Sequence, residues 1–288
     1  MPVLQPTPIL LGGTFLHEST AGTDPWILVT NDDGIDSPFL LPLIRRLSDL
    51  APVQTLVPAS ERSWTGKIMS RFTPLQLNTV ECDGFVLHTL DGFPADCANL
   101  GIHGLCPTKP ALVVSGVNIG SNAGLAYFLS SGTVGAAIEG ALSGVPAAAF
   151  SMRLEREVFA SWHQGRPQPD LDRLGENAAQ VTGSIVAELL TGGLPQNAPL
   201  LTVNMPHSTT LASPRRFTEL TPTAYGAFFT HDARTDRYVY ASSKLQIKSD
   251  GDCGDIAALD EDVVALTAIQ FSLAAIPQPR DRERFERS

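Results

Sequence analysis

The chain is 288 residues long, 43% hydrophobic and 17% charged, with a formal net charge of -10 at pH 7. This is the composition of an ordinary globular chain that can bury a sizeable core, and no run approaches the roughly twenty consecutive apolar residues of a membrane span. The acidic balance argues against an electrostatic hold on nucleic-acid backbone or an anionic membrane, although a local cation can reverse the field for a small phosphorylated ligand.

Residues 1–25 contain no Lys or Arg, and Ile9-Leu10-Leu11 is their longest apolar stretch. A flexible arm is therefore expected there, not a secretory signal. Cys82, Cys97, Cys106 and Cys253 show no CxxC spacing and no companion His at zinc-ligand spacing. Free thiols in a reducing cytoplasm are the expectation.

The run Trp26-Ile27-Leu28-Val29-Thr30 reads as a buried strand that empties into Asn31-Asp32-Asp33-Gly34. Neighbouring side chains on a strand point to opposite faces, so Asp32 and Asp33 converge only if the backbone turns, and Gly34 supplies the freedom for that turn. Two carboxylates in one turn repel unless a cation lies between them. A metal site and a solvated Asp-Asp-Gly turn are both open at this point.

Ser37-Pro38 then looks like a helix start, with the regular helix running from near Leu41 to Leu50. Val53–Val57 is a second strand, followed by the polar loop Ala59 to Lys67. Residues 72–90 contain two β segments, and Pro94 opens a helix to about Gly104. Leu112-Val113-Val114 is a buried strand, with Ser115 to Gly124 read as a glycine-dense loop. Thr133–Leu142 is helical, Ala147–Ser151 is a small-residue strand, and 153–170 is a charged surface excursion. Leu171–Leu190 is a helix ended by Thr191-Gly192-Gly193, and Leu200–Val203 is a last parallel-type strand.

Alternation of strand and helix from Trp26 to about Asn204 argues a parallel sheet covered on both faces. The fold class expected is α/β, a Rossmann-like doubly wound, mostly parallel sheet in three layers. Phe228-Phe229 and Arg237-Tyr238-Val239-Tyr240 suggest a C-terminal β-hairpin extension, followed by a short helix at Ile256–Leu259 and a strand at Val263–Ile269. The division expected is a 1–25 arm, one α/β domain over 26–272 with its β extension at 225–272, and a frayed 273–288 tail.

In such a sheet, ligands sit outside the carboxyl ends of the strands. The loops gathered there offer Asp32 and Asp33, Ser63 or Thr65, and Asn118 or Asn122, all oxygen donors of the kind preferred by Mg²⁺, Mn²⁺ or Ca²⁺. Ser131-Gly132-Thr133 adds N–H groups at a helix start, a natural anion cradle. A hard cation beside such a cradle suits phosphate-ester chemistry. There is no G-x-S-x-G elbow, and the six histidines are scattered, His207 being the least bland. Asp250-Gly251-Asp252 with Glu261 departs from a calcium loop at Gly254 and Asp255, so a solvated turn is the reading there.

Several co-linear stretches are familiar together. Ile27-Leu28-Val29-Thr30-Asn31-Asp32-Asp33-Gly34-Ile35 is followed in order by Pro58-Ala59-Ser60-Glu61-Arg62-Ser63 with Thr65-Gly66, and by Pro94-Ala95-Asp96-Cys97. Next come Ser115-Gly116-Val117-Asn118-Ile119-Gly120-Ser121-Asn122, Ser131-Gly132-Thr133-Val134, Val203-Asn204-Met205-Pro206 and Asp255-Ile256-Ala257-Ala258-Leu259. Over about residues 26–272 the chain resembles the SurE family of stationary-phase survival proteins with 5′-nucleotidase activity.

The resemblance implies a divalent-metal-dependent phosphomonoesterase hydrolysing nucleoside 5′(3′)-monophosphates. Asp32, Asp33, Ser63 and Asn118 would be the metal ligands, with the two aspartates catalytic. Asn31, Asn122, Ser131, Gly132 and Thr133 would contact phosphate or substrate. It further implies one Mg²⁺ or Mn²⁺ per subunit and a homodimer or homotetramer built through the C-terminal β region. Trp64 is bulky for its loop, and Phe93 stands where the family usually has a small polar residue. A broad acid phosphatase or exopolyphosphatase, and a nucleotide-binding protein without turnover, are the alternatives.

Overall fold

A computed structural model describes residues 25–166, 170–241, 245–248 and 253–286. The expected arm, apart from Pro25, and Asp250-Gly251-Asp252 lie outside the described residues. The chain opens with strand β1 (Ile27–Thr30), helix α1 (Leu40–Ser48) and strand β2 (Val53–Pro58). A β-hairpin, β3 (Leu77–Cys82) and β4 (Phe85–Leu90), leads to α2 (Pro94–Leu100), which runs on through a π-helical turn at Gly101–Leu105. Then come β5 (Leu112–Ile119), α3 (Leu125–Ser130), α4 (Gly132–Leu142), β6 (Ala147–Met152), α5 (Arg156–His163), α6 (Leu171–Gly192) and β7 (Leu200–Met205). The remainder is β8 (Arg215–Phe217), β9 (Thr223–Ala224), β10 (Phe229–Asp232), β11 (Arg237–Tyr240), β12 (Gln246–Ile247), α7 (Asp255–Asp260), β13 (Val264–Ile269) and α8 (Pro279–Phe285).

Nine strands form one sheet in the order β3-β4-β2-β1-β5-β6-β7-β13-β8. The strands from β4 to β7 pair in parallel. β1, β5, β6 and β7 are buried at every residue because both of their faces are covered. One layer of core joins Ile27, Val29, Val114 and Phe150 to α1 and α6; the other joins Leu28, Val113 and Ala147 to α2 and α4. Alternate residues of β1 thus feed opposite layers, as the two-residue period of a strand requires. This is the three-layer α/β fold expected.

The chain leaves β1 toward β2 on one side and later returns on its other side through β5. The carboxyl ends of β1 and β5 therefore flank the switch point, the place where a doubly wound sheet opens a crevice.

Several expectations are corrected. Ser115–Ile119 belongs to β5, with a register shift between Ser115 and Asn118, so the loop starts only at Gly120. The stretch after that loop holds α3, unforeseen in the sequence. The 153–170 excursion contains α5, a surface helix with no buried residue. Within 225–272 the chain divides. The β10–β11 hairpin stands apart from the main sheet, whereas β13 enters it antiparallel to β7 and brings β8 alongside.

Candidate active site

Asp32 and Asp33 follow β1 in a tight turn that Asn31 closes from within. Asn31 Nδ2 donates to Gly34 O at 2.9 Å, and its Oδ1 accepts from Gly34 N at 3.1 Å. Gly34 has a φ of +84°, and a Cβ there would lie 2.9 Å from the Ser60 carbonyl carbon. Only glycine permits both the turn and this approach of the β2 loop. That loop is tied to the turn in return, since Arg62 N donates to Asp32 O at 2.7 Å. Asn31, expected among the substrate contacts, thus has its amide engaged in shaping the turn.

The two carboxylates, both buried, have different supports. Asp32 Oδ1 accepts from Thr133 Oγ1, and the Thr133 backbone N–H also bonds the Asp32 carboxyl. Asp33 Oδ2 accepts from Ile119 N at 3.1 Å. Asp32 is therefore held by the start of α4 and Asp33 by the end of β5. Burial is the main force pushing the Asp32 carboxyl up from 3.8 to about 6, against the bonds from Thr133. Burial first, and then the charge of Asp32, raise Asp33 well above the usual carboxylate range. Glu61 adds a further repulsion on both. Nothing in the sequence pattern singled out Glu61, which acts across space from the neighbouring loop.

Ser131-Gly132-Thr133 is built around Asp32. Ser131 caps α4, its Oγ accepting from Val134 N at 3.1 Å. A Cβ on Gly132 would stand 2.8 Å from Asp32 Cβ and 3.0 Å from both Asp32 Oδ2 and Thr65 Oγ1. The glycine makes room for a carboxylate of the protein itself, and the anion nearest this helix start is Asp32. Gly132, expected among the phosphate or substrate contacts, thus lies directly against the Asp32 carboxylate.

On the other side of β1, Asn118 Nδ2 donates to Gly120 O at 2.9 Å, which orients the amide and leaves its oxygen and a second Nδ2 hydrogen for other partners. Ser63 is exposed and donates to Glu61 Oε1 at 2.7 Å, its lone pairs still available. Asn122 is buried and oriented by residues that the sequence reading did not weigh as site residues. Its Nδ2 donates to Ser151 Oγ at 2.7 Å, and its backbone N donates to Asn204 Oδ1 at 3.0 Å. Both partners sit in strands, in β6 and β7. The recognisable signal for them was a polar residue inside an otherwise apolar strand.

Asp255 anchors the far end of the loop. Fully buried, it accepts from Gly124 N at 2.8 Å, Thr221 Oγ1 at 2.6 Å and Ile256 N at 2.9 Å. Asp96 ties the Ser63 loop down in a similar way, accepting from Ser70 N and Oγ at 2.8 Å and from Phe93 N at 2.9 Å.

Among the described residues no three His, Cys, Asp or Glu side chains gather as a metal-ligand group. The buried Asp32 and Asp33 carboxylates, the Ser63 hydroxyl on the loop after β2 and the Asn118 amide oxygen at the end of β5 are all hard oxygen donors on adjacent segments. Two buried carboxylates with raised pKa values are what a site shaped for a divalent cation looks like to protons alone. The residues therefore fit a hard cation.

The family model described as Survival protein SurE matches residues 27–227 of this chain. A 5′-nucleotidase SurE of Methanocella arvoryzae is 30% identical over 266 residues, covering 91% of this chain and 97% of that protein. One from Methanoculleus marisnigri is 34% identical over 257 residues, covering 87% and 93%. The crystal structure of the SurE protein from Aquifex aeolicus superposes with a TM-score of 0.70 at 28% identity, covering 87% of this chain and 95% of that one.

Proposed function

The chain belongs to the SurE family, and from that premise we propose that it is a 5′-nucleotidase, a phosphoric monoester hydrolase, whose active centre is the crevice at Asp32 and Asp33. The observation that carries the reading is the buried carboxylate pair at the switch point, Asp32 held by the Thr133 hydroxyl and Asp33 by Ile119 N, with no Lys or Arg ion-pair partner among the described residues. Asp32, Asp33, Ser63 and Asn118 would hold one Mg²⁺ or Mn²⁺ per subunit. Such a cation, when bound, supplies charge neutralisation for the phosphate and a more acidic water.

The chain's own groups do the rest. Thr133 fixes the Asp32 carboxylate by its hydroxyl and N–H, so that ligand is oriented before any substrate arrives. Asn122 keeps one Nδ2 hydrogen beyond that given to Ser151, and Ser131 keeps its hydroxyl hydrogen beside the accepted Val134 bond; both can donate to phosphoryl oxygens. Hydrolysis of 3′-monophosphates at the same centre belongs to the same reading.

The protein is further read as a homodimer or homotetramer in the cytoplasm. Phe229, Tyr238, Val239 and Tyr240 are exposed on a two-stranded hairpin, which is marginal by itself and is stabilised by packing on something else. The four cysteines are free thiols, which suits a reducing compartment. No helix among the described residues is long and apolar enough to cross a membrane.

The experiment is a phosphate-release panel with AMP, GMP, 3′-AMP, p-nitrophenyl phosphate and polyphosphate in Mg²⁺ and Mn²⁺. Preference for nucleoside monophosphates supports the reading. Equal or faster turnover of p-nitrophenyl phosphate or polyphosphate would replace it with a broad phosphatase or exopolyphosphatase.

A further inference from the structure

Trp64 directly precedes Thr65, whose hydroxyl and the Asp32 carboxylate crowd the same point, each 3.0 Å from where a Cβ on Gly132 would stand. Its Cα is one peptide, about 3.8 Å, from that of Thr65. Its backbone sits at a φ of +63°, a left-handed conformation that a bulky residue rarely adopts and that persists only where the surroundings impose it. The surroundings here are firm. Thr65 Oγ1 donates to Arg62 O at 2.8 Å, and Gly66 N donates to Ser130 O at 2.9 Å.

Four other rings stand around the indole. Tyr127, Tyr225, Phe228 and Tyr240 have centroids 5.8, 5.7, 5.3 and 6.4 Å from that of Trp64. Their planes are inclined to it by 84°, 52°, 74° and 60°, so none stacks parallel on it. Trp64 remains 50% exposed. Tyr225 is pinned through its hydroxyl to Ser130 Oγ and Ala126 O, which fixes this wall to α3. The result is a half-open indole with edge-on or tilted neighbours and, among the described residues, no parallel partner, one residue from Thr65 at the Asp32 carboxylate. A ring so placed lacks only a flat ligand.

We infer that Trp64 is the stacking platform for the base of the nucleoside monophosphate, with the surrounding rings holding the indole in place. The inference rests on the phosphomonoesterase reading for its choice of ligand. Stacking on an aromatic side chain tolerates any base, because every base has a π face, so the platform selects nucleotides over sugar phosphates without choosing strongly among bases. A rival wall exists on the Asn118 side, where a Cβ on Gly120 would lie 3.7 Å from Phe159 Cε2. Phe159 already has a parallel neighbour, His163, at 6.1 Å and 4°. That makes it the weaker candidate.

The test is equilibrium binding of two non-hydrolysable ligands, the methylenephosphonate analogues of AMP and of ribose 5-phosphate, to the full chain with saturating Mg²⁺. The wild type is expected to favour the AMP analogue by about tenfold or more. Trp64→Leu, which keeps apolar bulk without a π face, should bring the ratio to about twofold or less, Trp64→Phe should retain most of it, and Phe159→Leu should keep it. A wild-type ratio near one, a ratio that survives Trp64→Leu, or one lost in Phe159→Leu instead would overturn the inference. These ligands are not turned over, so phosphate release from AMP reports separately on the phosphomonoesterase reading.

Discussion

Replacing Asp32 with Asn should move stability and activity in opposite directions. The Asp32 carboxyl is pushed up from 3.8 to about 6, chiefly by burial. A carboxyl with a raised folded-state pKa binds more protons folded than unfolded, so the metal-free wild type loses stability as pH climbs from about 3.8 to about 6. A shift of roughly two units corresponds to about 3 kcal/mol, at about 1.36 kcal/mol per unit. Asn retains an oxygen to accept from Thr133 and carries no charge to desolvate. Metal-free Asp32→Asn should therefore be about 2–3 kcal/mol more stable than wild type at pH 7, with the advantage gone below about pH 4. Urea denaturation in EDTA at the two pH values measures this. The same variant in saturating Mg²⁺ should lose about a thousandfold in turnover, about 4 kcal/mol of transition-state stabilisation. A metal-free variant no more stable than wild type at pH 7, with turnover intact, would refute the reasoning for this carboxylate.

Gly132→Ala places a methyl group 2.8 Å from Asp32 Cβ, so it should weaken both Mn²⁺ binding and turnover by about tenfold or more, the cost of shifting a packed ligand; calorimetric Mn²⁺ affinity equal to wild type would show that the neighbourhood yields without cost. Asp255→Ala leaves Gly124 N and Thr221 without their buried acceptor and should cost about 3 kcal/mol in denaturant unfolding, a loss under 1 kcal/mol marking the cluster as dispensable. Light scattering at micromolar concentration should give the mass of a dimer or tetramer, and a monomeric mass with full activity would remove the role given to the β10–β11 hairpin.

Much of the framework was legible because it is local. A five-residue apolar run ending in Asp-Asp-Gly announces strand and turn together, and Pro94 and the alanine-rich run after Thr133 mark helices by chemistry that acts within one turn. What stayed hidden depends on residues far apart in the chain. Thr133 reaches Asp32 across 101 positions, and Asp255 reaches Gly124 across 131. No periodicity reports such a pair. The short α3 has Gly124 at its start and no side-chain cap, so no start signal marked it. β13 alternates too little to declare that it lies inside the main sheet and not in a separate extension. The rings around Trp64 come from three stretches of sequence and become a cluster only once α3 and the hairpin are in place.

The central claim is tested most directly by one metal-restoration assay. The protein is stripped with chelator, its phosphate release from AMP is measured, and Mg²⁺ or Mn²⁺ is then added back. The account predicts release at background in the stripped protein and full recovery on addition of either cation. Turnover that persists undiminished in excess chelator, or that no divalent cation restores in the folded protein, would contradict it.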